Sequence, residues 1–203
     1  LSGNYNEGSS VSNSTRGVIY SGYPGTQNII DYITMASAGN AQDFGDKTNS
    51  SVGAGTMQSP TRGVYSSGET NASPYAVVNS MVYLTIATTG NTADFGDAAR
   101  AVRYPAATSN AVRGVQALGG SPNTYTNAIE YITIATLGDA IDFGDLVASN
   151  LGYGGGGLGS PTRAVFVVGN NTDVDYVQIM TTGNAVYFGN VTDSGSSGGG
   201  CSN

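Results

Sequence analysis

The sequence predicts an all-β protein, a β-propeller built from four copies of one four-stranded unit of roughly 45–51 residues. Three observations predict it. A Tyr is followed twelve positions later by a Phe in four places: Tyr32/Phe44, Tyr83/Phe95, Tyr131/Phe143 and Tyr176/Phe188. An Arg followed by a small residue recurs once per unit, at Arg16, Arg62, Arg113 and Arg163. Around these anchors the apolar residues come in short β-branched runs closed by Gly, which is strand patterning.

The third unit shows the elements in order. Strand A is expected near 101–107 and strand B near 112–118, where the Arg opens an apolar run. Strand C is expected over 127–136. Ile129, Tyr131, Thr133 and Ala135 alternate there with Ala128, Glu130, Ile132 and Ile134, so both faces are mostly apolar or small, as in a strand buried on both sides. A turn at Gly138 leads to strand D near 140–146. The best single copy of the C–D half is 131–145. The units run approximately 1–46, 47–97, 98–145 and 146–190 within one domain spanning 1–203. The stretch 191–203 reads as a partial fifth repeat or a ring-closing strand, so two architectures stay open: a four-bladed ring, or an excerpt of a larger array. Leu1 is not an initiator Met, which is consistent with a processed or excerpted chain.

Composition narrows the chemistry. The formal charge is −7, and the seven Lys and Arg form no run, which argues against tracking nucleic-acid phosphates. The chain has no His, so the usual general base and commonest metal ligand are missing. No catalytic residue, cofactor or metal site is expected. Cys201, the one Cys, lies in a Gly/Ser tail and is read as incidental. The hydroxyl- and amide-rich composition suits an extracellular, cell-surface or particle-borne protein, and no apolar stretch is long enough to span a membrane.

Asp-Phe-Gly-Asp occurs at 43–46, 94–97 and 142–145 and decays to Tyr187-Phe188-Gly189-Asn190. It is expected to be a tight turn in which Phe44, Phe95, Phe143 and Phe188 pack between units. An Asp there should accept backbone N–H groups or pair with the repeat Arg. Asp-x-x-Asp alone is too sparse for a calcium loop. Asp173 and Asp175 fit a strand carrying acids better than a metal site.

Spacing varies in one place, between the Gly that closes strand B and the start of strand C. The B–C loops are 23–27, 69–78, 121–126 and 170–172. Equivalent loops of a propeller emerge on one face, and variation confined to one face marks a binding surface. The candidate ligand-binding residues are Tyr23, Tyr75, Asn71, Tyr125, Asn123 and Asn170, rings for stacking and amides for hydroxyls.

The order of Arg, apolar strand, Gly-Gly, variable loop and Tyr strand resembles the kelch-type repeat. Leu118-Gly119-Gly120 and Ala128-Ile129-Glu130-Tyr131 carry the likeness, and Phe143 stands where kelch repeats usually have Trp. The chain has no Trp, and three of its units lack the full Gly pair. Kelch-fold oxidases hold copper with Tyr and His, an activity that a chain without His does not inherit. The stretch 131–146 is also similar to repeats in large proteins of marine bacteriophages, including cyanophages, and the likeness extends over nearly the whole chain. It implies a non-enzymatic part of a tail fibre or other virion appendage, recognising a host-surface glycan or protein through the B–C loops. Its partners would be copies of itself or other virion or filament proteins. The alternatives are a purely architectural subunit and, ranked lower, a carbohydrate-active enzyme with paired carboxylates.

Overall fold

The structure is a computed structural model that describes residues 7–22, 28–48, 51–70, 75–117, 119–121, 124–147, 155–167, 169, 172–193 and 200. Tyr23, Asn71, Asn123, Asn170 and Cys201 lie outside the described residues.

Four antiparallel four-stranded sheets follow one another along the chain, and no helix occurs among the described residues. The first contains β1 (Ser9–Ser12), β2 (Arg16–Tyr20), β3 (Ile29–Thr34) and β4 (Gln42–Asp46). The second begins with a split strand, β5 (Ser51–Val52) and β6 (Gly55–Gln58), both paired to β7 (Arg62–Thr70). It continues through β8 (Val77–Thr85) to β9 (Ala93–Asp97). The third has β10 (Ala106–Ser109), β11 (Arg113–Ala117), β14 (Ala128–Thr133) and β15 (Ile141–Asp145). Between its second and third strands sits a small hairpin of β12 (Gly120–Ser121) and β13 (Thr124–Tyr125). The fourth has β16 (Gly156–Gly159), β17 (Arg163–Val167), β18 (Asp173–Gln178) and β19 (Val186–Asn190).

Sequential strands pair in the order expected, and every repeat Arg opens the second strand of its sheet. Several boundaries differ: β14 stops at Thr133 rather than reaching 136, and the expected loop 121–126 contains β13. The first strand of the third sheet lies later than 101–107, because 98–105 is occupied by a connector whose Tyr104 N–H donates to Gly53 O at 2.6 Å. The segment 69–78 is not all loop: β7 and β8 run on into it as a paired extension, with Glu69 opposite Val77.

Asp-Phe-Gly-Asp is a strand rather than a tight turn. In each sheet the pairing between third and fourth strands skips one residue, Phe44, Phe95, Phe143 or Phe188. The Phe is the extra residue of a β-bulge, and the Gly after it takes positive φ, +142° at Gly45 and +136° at Gly96. The bulge turns the Phe ring out of the pleat toward the following sheet. Phe44, Phe95 and Phe143 are each 2% exposed and are buried against that sheet; Phe143, for example, joins Val177, Ile179 and Ala185. The core is therefore three clusters between successive sheets.

The outer edges of β4, β9 and β15 are covered by the next sheet. Gly90 N–H donates to Phe44 O at 2.7 Å and Thr92 N–H to Asp46 O at 2.9 Å, while the Asp46 N–H is accepted by Asn91 Oδ1 at 2.9 Å. The same three bonds join Gly138, Ala140 and Asp139 to Phe95 and Asp97. Gly183, Ala185 and Asn184 repeat them on Phe143 and Asp145. An open strand edge invites unwanted pairing, and here each unit seals the one before it. The carboxylates of the motif stay exposed; its backbone does the joining.

Candidate functional site

The sheets give the protein two ends. At one end lie the turns between first and second strands and between third and fourth strands, together with the repeat Arg residues. No repeat Arg pairs with the motif acids. Each guanidinium stacks instead on the Tyr of its own sheet, 4.3 Å from the Tyr32 ring, 4.4 Å from Tyr83, 4.1 Å from Tyr131 and 4.8 Å from Tyr176. Arg16, Arg62 and Arg113 also donate to a carbonyl of the following sheet, Ile86, Ile134 and Ile179, at 3.0, 2.8 and 3.2 Å. A planar, always charged donor with an aromatic floor suits this double contact. Arg16, Arg62 and Arg113 are joints between units, and their recurrence needs no ligand.

The turns at this end repeat as well. Asn13 Oδ1 accepts the Thr15 and Arg16 N–H groups, and its amide reaches Pro60 O at 3.2 Å. Asn110 does the same for Val112, Arg113 and Pro161. These turns surround a cavity of about 410 Å³ whose lining is Ser, Asn, Gln, Pro and Ala. A second cavity of about 230 Å³ lies between the innermost strands of the four sheets, against Ser10, Thr56, Thr108 and Gly157. Neither holds a titratable group, and no cluster of metal-ligating side chains occurs among the described residues.

The opposite end carries the connections of variable length. Tyr75 and Tyr125 are found there as the sequence suggests, 61% and 49% exposed. The connector 98–105 is pinned across this end. Arg103 forms an ion pair with Glu69 at 2.7 Å, its N–H donates to Gly120 O, and the Tyr104 hydroxyl donates to Glu7 Oε2 at 2.8 Å. Partial burial and the neighbouring Glu7 push the Tyr104 phenol up to about 12.

Beneath this end, between the first two sheets, sits a buried polar group that sequence reasoning passed over. Lys47 Nζ donates to the carbonyls of Ser21 and Ser51 at 2.9 and 2.8 Å. The Tyr65 hydroxyl donates to the same Ser51 carbonyl at 2.6 Å, and the Tyr20 ring lies 4.9 Å from that of Tyr65. Burial lowers the Lys47 amine to about 8 and raises both phenols far above their usual value. The repeat held the signal, since the other units place Ala98, Leu146 and Val191 where Lys47 stands.

A second missed group is the acid just before the repeat Tyr. Glu130 Oε2 accepts the Ala99 N–H at 2.8 Å and Asp175 Oδ2 the Val147 N–H at 2.9 Å, each capping the end of the preceding unit. Asp175 lies on a strand, as its spacing suggests; its bond to Val147 is what the sequence did not show. Gln116 also donates to Glu130, whose carboxyl is raised by burial.

Comparison with known proteins places the fold alone. No family model and no curated protein matches the chain. The solved structure of YjhT superposes on it with a TM-score of 0.72 at 7% sequence identity, over 94% of this chain and 67% of that one. The likeness is one of fold. The remaining third of YjhT corresponds to the length of about two further sheets of this size.

Proposed function

We propose that the chain is a non-enzymatic recognition module of propeller type, with kelch-like units, carried on a virion appendage or another extracellular particle. One end is a constant scaffold and the other a variable rim that touches a host-surface glycan or protein. The carrying observation is the contrast between the two ends. The repeat Tyr residues are floors for Arg at the constant end, whereas Tyr75 and Tyr125 stand out at the end whose connections differ in length. Exposed rings held on sheet ends are suited to stacking on sugar faces, and the Asn- and Ser-rich connections supply hydroxyl partners. The phage-repeat likeness supports the particle setting.

Binding of the wild-type chain and of a Tyr75→Ala/Tyr125→Ala variant to a glycan array tests this reading. Wild type should retain specific glycans and the double variant should lose them at an unchanged melting temperature. Equal retention by a folded variant would remove these residues from the site.

A further inference from the structure

The junction between units is made three times and then left open at both ends of the series. Phe188 is 59% exposed, against 2% for Phe44, Phe95 and Phe143. A Cβ on Gly45, Gly96 or Gly144 would strike the backbone of the next unit at 2.5 Å, whereas one on Gly189 would meet nothing within 4 Å. Among the described residues no carbonyl answers Arg163, the most exposed of the repeat Arg residues. The edge of β19 is a junction half without its mate.

The first sheet carries the residues of the matching half. In the first sheet Ile33, Met35 and Ala41 stand where Val177, Ile179 and Ala185 cover Phe143 in the fourth. Ile33 and Met35 are exposed, while their counterparts are buried. Gly39 and Asn40 correspond to Gly183 and Asn184, which bond the edge of β15. A concavity of about 250 Å³ lies beside them, lined in part by Ile33, Gly39, Asn40 and Ala41.

We propose that the β19 edge docks on the first sheet of a second copy of this chain, head to tail, repeating the internal junction. Phe188 fills the concavity beside Ile33. The Gly39 N–H bonds Phe188 O, the Ala41 N–H bonds Asn190 O, and Asn40 Oδ1 takes the Asn190 N–H. The Met35 carbonyl, equivalent to that of Ile179, receives Arg163. Such a contact is heterologous and continues from copy to copy until it closes a ring or grows a filament.

Analytical ultracentrifugation of the 203-residue protein across a concentration series tests it. Wild type should assemble with rising concentration. Phe188→Ser spoils one half of the junction and Met35→Asp the other, both at exposed positions that leave the internal junctions alone. Each variant should stay monomeric, and an equimolar mixture should give a species of twice the monomer mass and nothing larger. A wild type that stays monomeric throughout, variants that assemble as wild type does, or a mixture without the dimer overturns the proposal.

Discussion

Replacing Gly96 with Ala, and Gly189 with Ala as its control, separates the joint between units from the local strain of the bulge. Both glycines follow a bulged Phe and both hold positive φ, +136° and +155°. An added Cβ at either position costs about 1–3 kcal/mol of backbone strain. Only at Gly96 does it also run into the next unit, 2.5 Å from Gly138 C and O. That backbone cannot yield without stretching the bonds from Gly138 to Phe95, from Ala140 to Asp97, and from the Asp97 N–H to Asp139. Three hydrogen bonds at about 0.5–1.5 kcal/mol each put roughly 3 kcal/mol at risk. Gly96→Ala should therefore lose at least about 2 kcal/mol more than Gly189→Ala in urea unfolding followed by tyrosine fluorescence. Losses within about 0.5 kcal/mol of one another would mean that the strand-edge contacts contribute little and that the reasoning is wrong.

Two further outcomes concern the buried polar cluster. The Tyr20 hydroxyl is fully buried with no hydrogen-bond partner among the described residues, so Tyr20→Phe should raise stability by about 1 kcal/mol, while Tyr65→Phe should lower it by a similar amount through loss of the bond to Ser51 O; thermal melts of both variants check the opposite signs. Lys47 sits near 8 in the folded protein and near 10.5 when unfolded, so between those values the unfolded chain binds the extra proton and stability rises with pH. From pH 7.5 to 9.5 this group should add about 2 kcal/mol, before ionisation of unfolded tyrosines reverses the trend above about pH 10, and Lys47→Met should remove the rise. Urea midpoints across that range decide it.

The repeat made much of this structure legible. Anchors at constant spacing located all four sheets, and the Arg and Tyr positions marked which strands pair. Alternation in 127–136 identified a strand buried on both sides, and Ile129, Ile132 and Ile134 are buried. The Asp-Phe-Gly-Asp motif misled because a bulge and a turn use the same residues, a Gly at positive φ among short polar side chains. What separates them is the partner strand, many positions away. The joint was hidden for the same reason, since Asn91, Asp139 and Asn184 bond residues of the preceding unit through the backbone, and backbone acceptors leave no mark on composition. Expecting Arg to pair with Asp followed from charge alone. The sheets instead offered each Arg an aromatic floor, and Arg16, Arg62 and Arg113 a carbonyl as well, while the acids stayed in solvent. Of the rim residues, Tyr75 and Tyr125 were legible as exposed from loop-length variation: Tyr75 lies between β7 and β8, and Tyr125 in the small hairpin outside the third four-stranded sheet. Lys47 escaped because one lysine in an apolar column is visible only when the four units are compared position by position.

Amide hydrogen exchange at a dilution where the protein is monomeric tests the central claim most directly. The claim is that four sheets form an open series in which the first three are each sealed by the next. The amides of Asp46, Asp97 and Asp145 have acceptors in the following unit, and those of Gly90, Gly138 and Gly183 bond back to the preceding one. These six should exchange slowly, while the equivalent amides of Asn190 and Gly39 exchange as fast as open strand edges do. Equal protection of Asn190 and Gly39 in the monomer would mean that the first and fourth sheets meet in a closed ring, and would contradict the account.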